Sequence, residues 1–131
     1  MQSYAIAYTC MLIVGLLPYV ATVIAKSGHK GFDNRDPRTW LAAQEGYRKR
    51  ANFAQMNAFE ALPLFLAAVL VNAVVGSPAQ TVNLLALFFV AMRVLHLLFY
   101  LADKSTLRSL AFVSGLLTDI ALFVIALSNV K

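Results

Sequence analysis

Cysteine is nearly absent from this chain: Cys10 is the only one in 131 residues. A single thiol excludes an intrachain disulfide framework. Its place in an uncharged apolar run marks it as apolar filler and not as a nucleophile. Charge is scarce as well. Asp, Glu, Lys and Arg make up 13% of the chain against 60% hydrophobic residues, where a soluble domain carries about a quarter charged residues. That leaves too little polar surface to coat a water-soluble core. Acidic residues are the scarcest, six against eleven Lys and Arg. The resulting net charge of +5 does not point to nucleic acid, because the basic residues form one block between apolar stretches and not a folded basic face. No repeat or low-complexity tract is present, and the length fits one domain, residues 1–131.

What is abundant is long apolar sequence. Four stretches stand out, over residues 4–25, 51–75, 78–102 and 107–130. Each is long enough to cross a hydrocarbon core of roughly 30 Å at about 1.5 Å per residue. The chain therefore reads as all-α, an integral membrane four-helix bundle. The first stretch lacks a basic leader and exceeds the apolar core of a signal peptide, so it is expected to be a retained helix, bent at Pro18. Residues 26–50 form a polar loop with seven basic residues: Lys26, Lys30, Arg35, Arg38, Arg48, Lys49 and Arg50. Asp36-Pro37 can cap a short helix there, interrupted at Gly46. Gly76-Ser77-Pro78 reads as a tight turn with Ser77 as the N-cap of the next helix, and Asp103 or Ser105 is expected to cap the last one. By the positive-inside rule the basic loop faces the cytoplasm, with both termini outside.

Three ionisable residues interrupt the apolar stretches. Each costs at least about 2.5–3.5 kcal/mol at the bilayer centre, so each asks for a reason. Glu60 is ten residues past Arg50, Arg93 ten before Asp103, and Asp119 eleven past Arg108. All three thus sit at one depth, roughly 15 Å in. The match predicts an ion pair between Glu60 and Arg93, with Pro63 bending the second helix close by. Helical spacing puts Arg50, Phe53, Asn57 and Glu60 on one face, Arg93, His96 and Tyr100 on another, and Arg108 with Asp119 on a third. Three such stripes are expected to line a polar cleft that runs from the basic end to mid-membrane and takes a charged, water-soluble ligand.

Asp36-Pro37-Arg38, Gly46 and the run from Arg50 to Pro63, with its Asn57-x-x-Glu60-x-x-Pro63 core, resemble the MAPEG family of membrane-associated proteins in eicosanoid and glutathione metabolism. Arg93-x-x-His96-x-x-x-Tyr100 followed by Arg108 looks like its microsomal glutathione transferase and prostaglandin E synthase branch, in a bacterial-type member. The resemblance implies a homotrimer in the inner (cytoplasmic) membrane, with glutathione as co-substrate between neighbouring subunits. Asn57 and Glu60 would hold the peptide's backbone and amine, while Arg93, His96 and Tyr100 would support its carboxylates. Arg108 would face the thiol as the catalytic residue. The implied activity is a glutathione-dependent transferase or peroxidase acting on lipophilic electrophiles or lipid hydroperoxides. No metal or nucleic acid is implied; the partners are membrane lipid and a lipophilic substrate. Two positions depart from the pattern. Phe53 stands where many glutathione-using members carry arginine, and Arg50, one turn earlier, is placed to compensate. Tyr100 and Arg108 are eight residues apart, one fewer than in that branch. A non-catalytic lipid-binding or scaffold protein of the same fold is the alternative; a small transporter would need a polar path through the far half, which offers few polar side chains.

Overall fold

Five helices form in the computed structural model, which describes residues 3–28 and 31–131. Four are long: α1 (Ala5–Lys26), α3 (Tyr47–Val75), α4 (Ala79–Leu101) and α5 (Ser105–Asn129); α2 (Pro37–Ala42) is a short turn of helix within the basic loop. All four long helices are apolar and long enough to cross a membrane. Among the described residues there is no strand. Lys30, one of the basic residues of the loop, lies outside the described residues. Pro18 and Pro63 both lie inside continuous helices.

The helices match the apolar stretches except at one end. α3 starts at Tyr47, four residues before its stretch does, so Arg48, Lys49 and Arg50 belong to its first turn. Hydropathy marks where a helix becomes apolar and not where it begins. Gly46, at φ 65° and ψ −141°, separates α3 from α2, whose first turn is capped by the Asp36 carboxylate accepting from the Thr39 amide at 3.4 Å.

The two short turns end helices where the sequence expected them to start helices. After α3, Gly76 adopts the left-handed conformation, the Ser77 amide donates to the Asn72 carbonyl at 3.0 Å, and the Gly76 amide reaches the Ala73 carbonyl at 3.4 Å. This is a Schellman motif. It uses the backbone of Ser77 for termination, and its buried hydroxyl has no hydrogen-bond partner, so Ser77 is not the N-cap of α4. Asp103 repeats the geometry after α4, with φ 57°. The Lys104 amide donates to the Phe99 carbonyl at 2.9 Å and the Asp103 amide to the Tyr100 carbonyl at 3.2 Å. Neither Asp103 nor Ser105 caps α5, which has Lys104 at its N-cap and no side-chain cap bond.

α1 packs mainly on α3 and also on α4, while α5 packs on α4 and α3. α3 and α4 therefore form the middle of the bundle. The main core lies towards the Gly76 turn: Val14, Phe65, Val69, Val82, Phe89 and Leu122 are sealed there, with the Phe65 and Phe89 rings stacked at 4.1 Å. Polar side chains pin that end. Asn83 accepts from the Ala7 amide at 3.0 Å and donates to the Ser3 carbonyl at 2.9 Å, which satisfies orphan groups at the start of α1. Asn72 donates to the Ala68 and Leu122 carbonyls, both at 2.8 Å. The Tyr4 hydroxyl donates to the Ser77 carbonyl. At the basic end a smaller cluster of Ala25, Leu41 and Ala51 lets α2 plug the bundle, and Arg48 ties α3 to the Ser27 carbonyl at 2.9 Å.

Candidate functional site

Between the two cores the helices separate around polar residues. α3, α4 and α5 enclose a deep chamber of about 170 Å³, whose polar lining is Asn57, Glu60, Arg93 and Asp119. Its apolar walls include Leu64, Phe89, Phe112 and Leu116. Gly115 also lines it, facing Phe89: a Cβ at that position would meet the Phe89 ring at 3.5 Å. Nearer the basic end lies a mouth chamber of about 410 Å³, lined by Asn57, His96, Tyr100, Arg108, Ser109, Phe112 and Val113. The two chambers adjoin across the shared Asn57 and Phe112 and are together called the cleft.

The expected Glu60–Arg93 ion pair is not made. Arg93, buried with 4% exposure, donates through Nη2 to Asn57 Oδ1 at 2.9 Å. Glu60 is exposed, and the one ion pair found among the described residues is Lys49–Glu45 at the surface. Asn57 lies one turn nearer the basic end than Glu60. A long cationic side chain in an apolar slab extends towards the polar interface, and the amide is what Arg93 meets on that path. Asp119 is within electrostatic reach of Arg93 but not in hydrogen-bond contact: its Oδ1 is buried without a partner.

In the mouth chamber the residues hold one another by their rings. His96, 3% exposed, lies edge-on to Tyr100 at 5.5 Å. The Arg108 guanidinium sits over the Tyr100 ring at 4.4 Å, a cation–π contact that fixes where its charge lies. The half-buried Arg108 is free of any ion pair among the described residues.

Six of the seven residues assigned from sequence line the cleft: Asn57, Glu60 and Arg93 the deep part, and His96, Tyr100, Arg108 and again Asn57 the mouth. Arg50 does not. Its Nε and Nη2 donate to the Leu101 carbonyl at 3.3 and 3.2 Å, so it caps the C-terminus of α4, where a cation is favoured by the helix dipole. Nor does Phe53, which is exposed outside both chambers. The sequence put Asp119 at the right depth, on a stripe expected to line the cleft, but gave it no ligand-binding role, and it missed the walls formed by Phe112, Gly115 and Leu116. Phe112 and Leu116 sit four residues apart, with Asp119 three further on, a helical spacing that could have revealed that face. No group of His, Cys, Asp and Glu among the described residues could hold a metal.

Four membrane-crossing helices, a basic end, and a polar cleft reaching from that end to mid-depth define the class: a multi-pass membrane protein with a polar cleft inside its helical bundle. Within that class, the chain belongs to the MAPEG family, whose sequence pattern it matches over residues 5–128. It is thus a membrane protein of the glutathione and eicosanoid metabolism family. Comparison with curated proteins gives no match.

Proposed function

We propose that the protein is a glutathione-dependent transferase or peroxidase acting on lipophilic electrophiles or lipid hydroperoxides, with its cleft open to the cytoplasm and completed by neighbouring copies in a homotrimer. The observation that carries this reading is the placement of Arg108: a cation fixed on Tyr100 at the mouth of the cleft, with no carboxylate paired to it among the described residues. A thiol has an ordinary pKa of about 8.5, and a fixed cation beside it raises the thiolate fraction. The rest of the cleft fits a small charged peptide. Arg93 and His96 offer donors to carboxylates, Glu60 an acceptor for an amine, and Asn57 both. The mouth chamber, about 410 Å³, is within the size range of small-molecule sites. Arg50, held on the Leu101 carbonyl, is left out of this reading.

Calorimetric titration of glutathione into the detergent-solubilised protein tests it, followed by conjugation of a chloronitrobenzene electrophile. Saturable binding and Arg108-dependent conjugation are expected; no binding at millimolar glutathione removes the reading. Phe53 favours a second one. An exposed phenylalanine, 43% accessible, cannot supply the carboxylate fork that arginine supplies at this place. A non-catalytic lipid-binding protein of the same fold predicts lipid retained in the cleft and full function in Arg108→Ala.

A further inference from the structure

Among the described residues, the charged side chains that are buried are Arg93 on α4 and Asp119 on α5, at 4% and 3% exposure. Their burial is complete within one chain and does not wait on a neighbouring copy. Both line the deep chamber and lie within electrostatic reach of each other. A buried charge is costly in an apolar medium unless an opposite charge or hydrogen bonds compensate it. Asp119 Oδ1 meets no hydrogen-bond donor, so the attraction of Arg93 is its compensation. Arg93 is in turn held from two helices, by the charge of Asp119 on α5 and by Asn57 Oδ1 on α3. A guanidinium only donates hydrogen bonds, so Asn57 has to meet it with the oxygen of its amide. The Nδ2 group makes no bond among the described residues, and its two hydrogens are left for the cleft, both of whose chambers Asn57 lines.

We propose that Asp119 is a positioning residue for ligand binding: it holds the Arg93 guanidinium against Asn57, and Arg93 holds the Asn57 amide with its donor side to the cleft, ready for a carboxylate or carbonyl of the ligand. The ligand's identity as a thiol peptide rests on the glutathione reading above; the order Asp119, Arg93, Asn57 does not. Asp119 touches no reacting atom. Arg108, the cation beside the thiol in that reading, lines the mouth chamber, whereas Asp119 lines the deep one. Neutralising Asp119 therefore frees Arg93 to shift and the amide to turn, which weakens binding of ground state and transition state alike and leaves the chemical step in place.

The full chain and its Asp119→Asn variant, both in detergent micelles, are compared by conjugation kinetics and by NMR of the asparagine side-chain amides. In Asp119→Asn the KM for glutathione is expected to rise about tenfold while kcat stays within about twofold, the split that marks a loss of uniform binding. The Asn57 Nδ2 signals, identified by their disappearance in Asn57→Ala, are expected to shift in Asp119→Asn, while those of Asn83 at the turn end stay in place. An unchanged KM, a fall in kcat as large as the rise in KM, unmoved Asn57 signals, or Asn83 signals that move as far as those of Asn57 overturns the proposal. The NMR comparison needs no ligand, so it decides the matter even where the protein fails to bind glutathione. Where Asp119→Asn does not fold, adding Asn57→Asp returns a carboxylate to Arg93 from its other partner. Recovery of folded protein is then expected, and its failure overturns the role of Asp119 as the counter-charge of Arg93.

Discussion

Towards the Gly76 turn, Phe65, Phe89, Val82 and Leu122 close over one another until almost no surface is left. Towards the basic loop, the same three helices α3, α4 and α5 stand apart around Asn57, Arg93 and Asp119. Phe89 belongs to both, stacked on Phe65 on one side and walling the deep chamber on the other. In a bilayer there is little hydrophobic force between helices, so packing contacts and interhelical hydrogen bonds hold them together. The turn-end half has both. The other half has a smaller packed cluster and opens around a polar cleft bridged by hydrogen bonds such as that from Arg93 to Asn57.

Removing the packed ring is the most direct way to break that division. Phe65→Ala is expected to cost about 3–5 kcal/mol of stability, as large aromatic truncations in sealed cores do. Because the chamber wall Phe89 loses its stacking partner, ligand binding should fall together with stability. Unfolding midpoints in detergent and glutathione titrations check this; a variant that binds normally while strongly destabilised would show that the two halves are independent.

The opposite change separates chemistry from stability. Arg108→Ala should reduce conjugation by about 10²–10³-fold, the usual cost of deleting a charge-stabilising donor. Its effect on unfolding should stay within about 1 kcal/mol, since the substitution removes only a partly exposed cation–π pair. Arg108→Lys should recover only part of the rate, because an ammonium lacks the planar group that lies over Tyr100. Rates with chloronitrobenzene and unfolding midpoints, measured on the same preparations, check both.

How well the sequence revealed each half follows from the same contrast. Four apolar runs specified four helices, because run length against bilayer thickness is a one-dimensional test. The shared depth of Glu60, Arg93 and Asp119 was also legible, since counting residues from helix ends gives depth. Partner choice was not. Glu60 and Arg93 match in depth, yet Arg93 reaches Asn57, because the rotation of each helix and the lean of a long side chain are set by packing in three dimensions. Arg50 misled for a related reason. Its face was right, but the end of α4 lies beside it, and a helix C-terminus competes with any ligand for a guanidinium. The turns were misread because a residue that stops one helix and a residue that starts the next look alike in a three-residue gap.

A moderate effect is expected at the polar pins of the turn end. Asn83→Ala removes the bonds to the Ala7 amide and the Ser3 carbonyl and should cost about 1 kcal/mol, within the range of interhelical hydrogen bonds in membranes. Amide exchange should rise at the start of α1 and stay unchanged around Arg93. If protection fell across the whole bundle, the turn-end half would not be a separate stabilising unit.

The smallest effect tests whether the two ends share one turn design. Gly76 and Asp103 hold the same left-handed position in equivalent Schellman motifs, at φ 71° and φ 57°. Glycine takes that conformation without steric penalty, whereas a side chain crowds the following carbonyl. Aspartate is among the few residues that tolerate it, so relief of strain at Asp103 should be modest. Asp103→Gly is expected to stabilise the protein by about 0.5–1 kcal/mol, and Gly76→Ala to destabilise it by about 1 kcal/mol or more. The opposite signs are the informative part. If Asp103→Gly destabilises instead, the Asp103 carboxylate contributes something beyond turn geometry, and the nearby mouth of the cleft is where to look, since the Tyr100 carbonyl accepts from the Asp103 amide while its ring carries the Arg108 charge.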